Sequence, residues 1–257
     1  MTTESAIIAV EKSVKTEFGK PFDAAMGEAR RPEVLRDFSR FDWNGKIGLD
    51  VGSGHPTVPA IITAAHPTAR FDCVDLSPDF EAQATDCVTR LRGDMSRIRC
   101  VTADFYDIAN LAEAGKLERR YDYVLLMEAL HHSLRKAKLL QVLTRVMDEN
   151  SRMILVEPVL PVVNRAKAYA ESQWARDLGY IEDPVGMRDY LAAFREAGLE
   201  VESVDYERSR EFGLKSWKRR LIPTPFYDVY RRRIRPLWAQ TTFTFVCRLR
   251  AGSGRPR

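Results

Sequence analysis

The sequence predicts an α/β protein: a mostly parallel sheet with helices on both faces, preceded by a helical extension. Three observations predict it. Short apolar runs alternate with helix-period stretches from residue 46 onward, the pattern of a parallel sheet buried on both sides. Polar and acidic residues stand at the carboxyl ends of those runs, where open α/β sheets bind their ligands. The last run, TTFTFVCRL at 241–249, alternates and is rich in β-branched and aromatic residues, as a strand is.

The elements follow in chain order. Ile7, Ile8, Val10, Val14 and Phe18 fall near helical spacing, so residues 5–17 read as a short amphipathic helix. A second helical stretch runs from Pro21 to about Phe41, and Trp43-Asn44-Gly45 marks a turn. Strands are expected at Lys46–Val51, Arg70–Leu76, Ile98–Ala103, Tyr121–Met127, Arg152–Glu157, Leu199–Glu207 and Thr241–Leu249. Helices are expected at Thr57–Ala65, Asp79–Leu91, Leu134–Met147, Asn164–Leu178 and Gly186–Ala197. Pro59 is tolerated because it falls in the first turn of its helix. On this reading residues 1–42 are a helical extension, 43–250 form one domain with a basic insertion at 208–238, and 251–257 are a frayed, disordered tail.

Composition excludes several classes. With 45% hydrophobic and 30% charged residues, 14 Gly and 13 Pro, the chain is neither collagen-like, nor low-complexity, nor wholly disordered. Its longest apolar runs, such as Tyr123–Met127 and Met153–Val156, fall far short of the ~20 residues of a membrane helix. The first residues lack the basic-then-apolar pattern of a secretory signal, so a cytoplasmic location is expected. Cys73, Cys87, Cys100 and Cys247 form no CxxC pair and read as small buried hydrophobes; no disulfide scaffold and no metal site is expected. The net charge of +4 conceals an asymmetry. Residues 1–207 carry 26 basic and 34 acidic residues, whereas 208–235 carry ten basic and two acidic. Within 212–238 the basic residues interleave with Trp217, Phe226 and Trp238. Four readings stay open for this segment: a peripheral membrane anchor, a phosphate or nucleic-acid contact, a wall of an acceptor pocket that binds an anionic group, or a solvated basic face.

The chemistry concentrates at four strand ends. The first strand closes as IGLDVGSGHP: Asp50 ends it, and Gly52, Ser53 and Gly54 lead into a helix. Glycines let a ligand approach the backbone, and a helix N-terminus offers unpaired N–H groups. Asp75 closes the second strand, 23 residues after Gly52 and followed by Leu76, and is suited to accept both hydroxyls of a ribose. Asp104 closes the third and can accept an exocyclic amine, with Phe105 beside an adenine face. The fourth strand ends in MEALHHS and the fifth in EPV. A dinucleotide fingerprint would need a glycine where Thr57 stands.

On these residues the sequence resembles the class I S-adenosylmethionine-dependent methyltransferases, by motif over about 46–157 and by element order over 186–249. That family's first motif, acid-x-Gly-x-Gly-x-Gly, is matched by Asp50, Gly52 and Gly54; Pro56 replaces the third glycine. The resemblance maps the ribose-binding acid to Asp75 and the adenine-contacting acid to Asp104, and matches Leu130-His131-His132 to a segment common after the fourth strand. It implies a Rossmann-like methyltransferase sheet of seven strands, the last antiparallel and inserted between the fifth and sixth. It implies S-adenosylmethionine as cofactor and Asp50, Gly52, Ser53, Gly54, Asp75, Leu76, Asp104 and Phe105 as its contacts. In that family an N-terminal extension often lids the acceptor pocket.

The acceptor side is less defined. Methyl transfer is an in-line displacement in which positioning supplies much of the rate, and a base is needed only if the acceptor must lose a proton. Glu128, His131 and His132 are the candidates for catalysis, His131 first; each could instead cap or pack its loop. Glu157 reads equally as an acceptor contact or as a buried carboxylate bonded to backbone. No Asn/Asp-Pro-Pro-Tyr/Phe segment follows the fourth strand, which in this family argues against adenine or glutamine as acceptor. The leading expectation is methylation of a small molecule at oxygen. The alternatives are an RNA methyltransferase gripping RNA through the basic segment and a catalytically silent binding protein.

Overall fold

The computed structural model describes residues 23–163, 183–206 and 241–251. The helices expected at 5–17 and 164–178, the insertion at 208–238 and the tail beyond Ala251 lie outside the described residues.

The elements are α1 (Ala24–Phe38), β1 (Ile47–Val51), α2 (Thr57–Ala65), β2 (Arg70–Asp75), α3 (Phe80–Arg90), β3 (Ile98–Thr102), α4 (Ile108–Glu113), β4 (Tyr123–Met127), α5 (Lys136–Thr144), β5 (Arg152–Leu160), β6 (Val185–Gly186), α6 (Met187–Glu196), β7 (Leu199–Tyr206) and β8 (Thr241–Leu249). The sheet order is β3-β2-β1-β4-β5-β8-β7. Strands β1 to β5 are parallel, and β8 runs antiparallel between β5 and β7. The α/β class and the inserted antiparallel last strand are as the sequence predicts.

Alternation along the central strands sorts their side chains into two cores. Val124 and Leu126 of β4, with Met153 and Leu155 of β5, pack under α4, α5 and α6. Leu125 and Ile154, between them in sequence, pack under α1, α2 and α3. Burying one such side chain contributes ~1.5–3 kcal/mol, so near-continuous apolar strands are what a sheet buried on both faces requires. The turn at Trp43 closes the second core. Trp43 is fully buried, donates from Nε1 to the Phe38 carbonyl at 3.1 Å, and packs on Tyr123 and Phe71 with centroids 4.4 and 5.4 Å apart. Gly48 admits the Phe71 ring: a Cβ there would lie 2.2 Å from Phe71 Cε1.

Three features depart from the sequence reading. β5 does not stop at Glu157 but continues through Pro158 to Leu160. β4 has ended by then, and the two-residue β6 takes its place beside Val159 and Leu160. The third is α4, six residues that the sequence reading left without an element.

The order of strands fixes where ligands meet the fold. The chain winds outward from β1 through β2 to β3, then returns to β4 on the other side of β1. The loops after β1 and β4 therefore diverge to opposite faces and leave a crevice at the switch point.

Candidate active site

The loop after β1 is held tightly at its base and open at its tip. The N–H groups of Gly52 and Ser53 both donate to the Val74 carbonyl, at 2.9 and 3.2 Å. Gly52 has φ +65° and abuts the loop after β4: a Cβ on it would lie 2.8 Å from Ala129 Cβ. Gly54 has φ +51°, and nothing stands within 4 Å of where its Cβ would be. Its N–H donates to Asp75 Oδ2 at 2.8 Å, while Asp75 Oδ1 accepts from Ser77 N–H at 2.9 Å. Asp75 is thus the hub that aligns the glycine loop with the loop after β2. Leu76, beside it, exposes 38% of its surface, an apolar residue turned outward at a ligand-binding end.

Asp50 lies beneath this loop and is 3% exposed. Its Oδ2 accepts from the Ser53 hydroxyl, and its Oδ1 is buried without a hydrogen-bond partner. Burial pushes the Asp50 carboxyl up to about 7; the Ser53 hydrogen bond opposes this and the Asp75 charge adds to it. The Ser77 hydroxyl is likewise buried and unpartnered. An orphaned acidic oxygen, an orphaned hydroxyl and open space over Gly54 suit a ligand that brings hydrogen-bond donors and positive charge. S-adenosylmethionine has both, so the residues present fit that group.

The ends of β4 and β5 carry a second cradle. Glu157 is 0% exposed. Its Oε1 accepts the N–H groups of Ala129 and Leu130 at 3.0 and 2.7 Å, and its Oε2 accepts that of His131 at 3.2 Å. Its Oε2 also lies 2.8 Å from His131 Nδ1. A proton on Nδ1, donated to the carboxylate, leaves Nε2 as the acceptor nitrogen of the ring. His131 is 6% exposed, and its ring packs against the half-buried His132 with centroids 4.1 Å apart. The His131 carbonyl accepts from Asp183 N–H at 2.9 Å, and the Asp183 carboxylate pairs with buried Lys136 at 2.7 Å. Just before this turn Glu128 takes φ +59°, a left-handed conformation rare for a side chain of its kind, and its N–H donates to the Val156 carbonyl at 2.7 Å.

The loop after β3 is tied to the second cradle. Asp104 Oδ1 accepts from Tyr106 N–H at 2.8 Å, starting a short 3-10 turn in which Phe105 and Tyr106 meet edge to face. The Tyr106 hydroxyl lies 2.8 Å from the hydroxyl of Ser133, one residue past His132.

Residues 49–155 match the family model of a methyltransferase domain. Residues 49–155 thus carry a methyltransferase domain. No curated protein matches it in sequence. Among solved structures, the mitomycin 7-O-methyltransferase is 16% identical with a TM-score of 0.57, the match covering 88% of this chain and 55% of that one. A chain solved in complex with the Haloferax volcanii Trm112 methyltransferase activator is 17% identical with a TM-score of 0.62, covering 90% and 96%. An O-methyltransferase family protein from Burkholderia thailandensis is 16% identical with a TM-score of 0.58, covering 90% and 58%. At these identities the likeness is one of fold. The chain spans about half the length of the mitomycin enzyme it matches.

In the methyltransferase domain the eight residues expected around a cofactor stand at the ends of β1 and β2 and on the loops after β1, β2 and β3. Asp50, Ser53, Gly54 and Asp75 are joined by hydrogen bonds or charge, and Gly52 contacts the loop after β4. Leu76 follows Asp75 directly, and Asp104 and Phe105 follow β3. Two contributors to the site have no assignment in the sequence reading. Ser77 carries only the signal of a polar residue before a helix. Tyr106 carries none. Of the two readings open for Glu157, the structure shows the buried carboxylate bonded to backbone, with His131 as a further partner. Among the described residues, no cluster of three or more His, Cys, Asp or Glu could hold a metal ion, and no helix is long and apolar enough to cross a membrane.

Proposed function

We propose that this chain transfers a methyl group from S-adenosylmethionine to an oxygen of a small-molecule acceptor, with His131 as the general base. When bound, the donor supplies an activated methyl group on a sulfonium. The chain's own residues bind, orient and deprotonate. Asp75 accepts the ribose hydroxyls, Asp104 the adenine amine, and Leu76 and Phe105 flank the base. Gly52, Ser53 and Gly54 carry the backbone that lies against the donor, with Asp50 below. The basic 208–238 segment suits an anionic or lipid-like acceptor, in a protein working in the cytoplasm.

The observation that carries the choice of oxygen is the Glu157–His131 pair. A hydroxyl acceptor must lose its proton, and a histidine held through Nδ1 by a buried carboxylate is oriented to take it on Nε2. Glu128 and His132, adjacent to that pair, contact the acceptor or shape its pocket. Two of the structural neighbours are described as O-methyltransferases, which agrees with this reading.

The test is methyl transfer from labelled S-adenosylmethionine to a panel of phenols, carboxylic acids, amines and a structured RNA, with wild type and His131→Ala. A general base contributes about 10²–10⁴-fold. The expected result is a hydroxylated product, a kcat lowered by that order in His131→Ala, and donor affinity unchanged. Turnover of amines or RNA alone, with His131→Ala as fast as wild type, rejects both the oxygen and the base.

A further inference from the structure

We propose that binding of the cationic donor is proton-linked: Asp50 holds a proton in the unliganded protein and releases it to solvent when a positive group of the ligand settles over the glycine loop. This rests on the reading of the loop as the donor site. Among the described residues no Lys or Arg offsets the Asp50 charge; the charge acting on it is that of Asp75, which has the same sign. Other titratable groups near it carry no positive charge either. They are Cys73, its register partner on β2, Cys100 on β3, and Cys87 on α3 beside Thr57 of α2. On the β4 side its register partner is the apolar Leu125. Further titratable residues at this mouth are His55, next to Gly54, Glu128 and His131 after β4, and Asp104 and Tyr106 after β3.

In that setting a carboxylate is costly and a carboxylic acid is not. Oδ1 is buried without a partner, so one oxygen of the ionised group has nothing to offset its lost water. Burial accordingly pushes the group up to about 7, into the range where a ligand can decide its charge. A cation arriving beside Oδ1 supplies the missing partner, favours the carboxylate and expels the proton. By linkage, the donor then binds more tightly as pH rises through the unliganded Asp50 value.

The experiment is calorimetric titration of the whole protein in buffers of different ionisation enthalpy, at pH 6, 6.5, 7 and 8. The ligands are S-adenosylmethionine, S-adenosylhomocysteine, which keeps the ammonium but not the sulfonium, and methylthioadenosine, which has neither. One group near 7 predicts release of about 0.8 proton per site at pH 6.5 and a dissociation constant about tenfold lower at pH 8 than at pH 6. The ligand's own α-amino group, ordinarily ~7.7–8.0, gives proton uptake, the opposite sign. Release with both charged ligands names the ammonium as the cation; release with S-adenosylmethionine alone names the sulfonium. Methylthioadenosine is expected to bind without release, and Asp50→Asn to bind S-adenosylmethionine with a flat profile over this range. Should Asp50→Asn fail to fold by thermal melting, Ser53→Ala serves instead, because loss of its hydrogen bond to Oδ2 moves the midpoint upward. Binding of S-adenosylmethionine with no proton release, or equal release with methylthioadenosine, overturns the linkage and leaves the donor site standing. Failure of both charged ligands to bind at any pH overturns the donor site and the linkage with it.

Discussion

The two cradles at the switch point are made of the same parts, a buried carboxylate facing a loop, and they end in opposite states. Glu157 spends both oxygens on three backbone N–H groups and His131 Nδ1. Asp50 engages Ser53 with one oxygen and leaves the other with no partner. A carboxylate whose hydrogen bonds are complete stabilises the protein and fixes what it touches. One left incomplete in a buried place gives up stability that a ligand can restore. The difference separates the residues that shape the site from those that await something in it.

The sharpest way to break this comparison is at Glu157. Glu157→Ala strands the buried N–H groups of Ala129, Leu130 and His131 and frees the imidazole to rotate. Leaving donors of this kind unsatisfied costs about 3 kcal/mol or more in total. Urea unfolding followed by circular dichroism is expected to show that loss. Glu157→Gln keeps the shape but sets an amide N–H₂ toward one group of donors, so its loss should be smaller. Equal stability of Glu157→Ala and wild type would mean that water replaces the carboxylate and that the cradle is not structural.

Asp50 predicts a contrast in the pH dependence of stability. Its folded-state value, raised to about 7, stands above the ordinary 3.8. Between those values the folded protein binds more protons than the unfolded chain, so stability falls as pH rises through that window and levels off above 7. From pH 5 to pH 7 the loss from this one group is about 2 kcal/mol. Asp50→Asn should remove that slope, and saturating S-adenosylmethionine should flatten it in wild type. Denaturant midpoints across pH measure both. Identical slopes in the variant and wild type would show that Asp50 is ionised throughout.

How much of this was legible in the sequence depends on the length of chain each feature spans. The glycine loop is local: Asp50, Gly52 and Gly54 lie within five residues, and their types state what the backbone must do there. The alternation that builds the two cores is local as well. The pair that organises the other cradle is not, since Glu157 and His131 are 26 residues apart and meet only because β4 and β5 are neighbours. The left-handed backbone of Glu128 is not legible, because it is not a conformation its side chain prefers. The sequence reading ends β5 at Glu157, just before a proline, a residue that ordinarily interrupts a sheet. The rule misses here because β8 pairs in register across Pro158 while β6 takes over from β4 beyond it, so the strand is carried past the missing N–H by its neighbours. β6 itself, two residues long, has no periodicity to detect.

The smallest of these effects tests the contact between the cradles. Gly52 stands at φ +65°, and a Cβ there would meet Ala129 Cβ at 2.8 Å. Ala129 is the first of the residues that Glu157 holds through backbone. Gly52→Ala therefore combines left-handed strain with a clash against a loop that cannot yield without breaking its bonds to Glu157. The strain alone is worth about 1–2 kcal/mol. If the second cradle is rigid, as its completed hydrogen bonds imply, the glycine loop is the part that moves. The variant should then melt a few degrees lower, lose donor affinity, and leave the His131 turn as protected from hydrogen exchange as in wild type. If exchange instead rises at 129–133 while donor affinity holds, the turn is the softer of the two, and completed hydrogen bonds were a poor guide to rigidity.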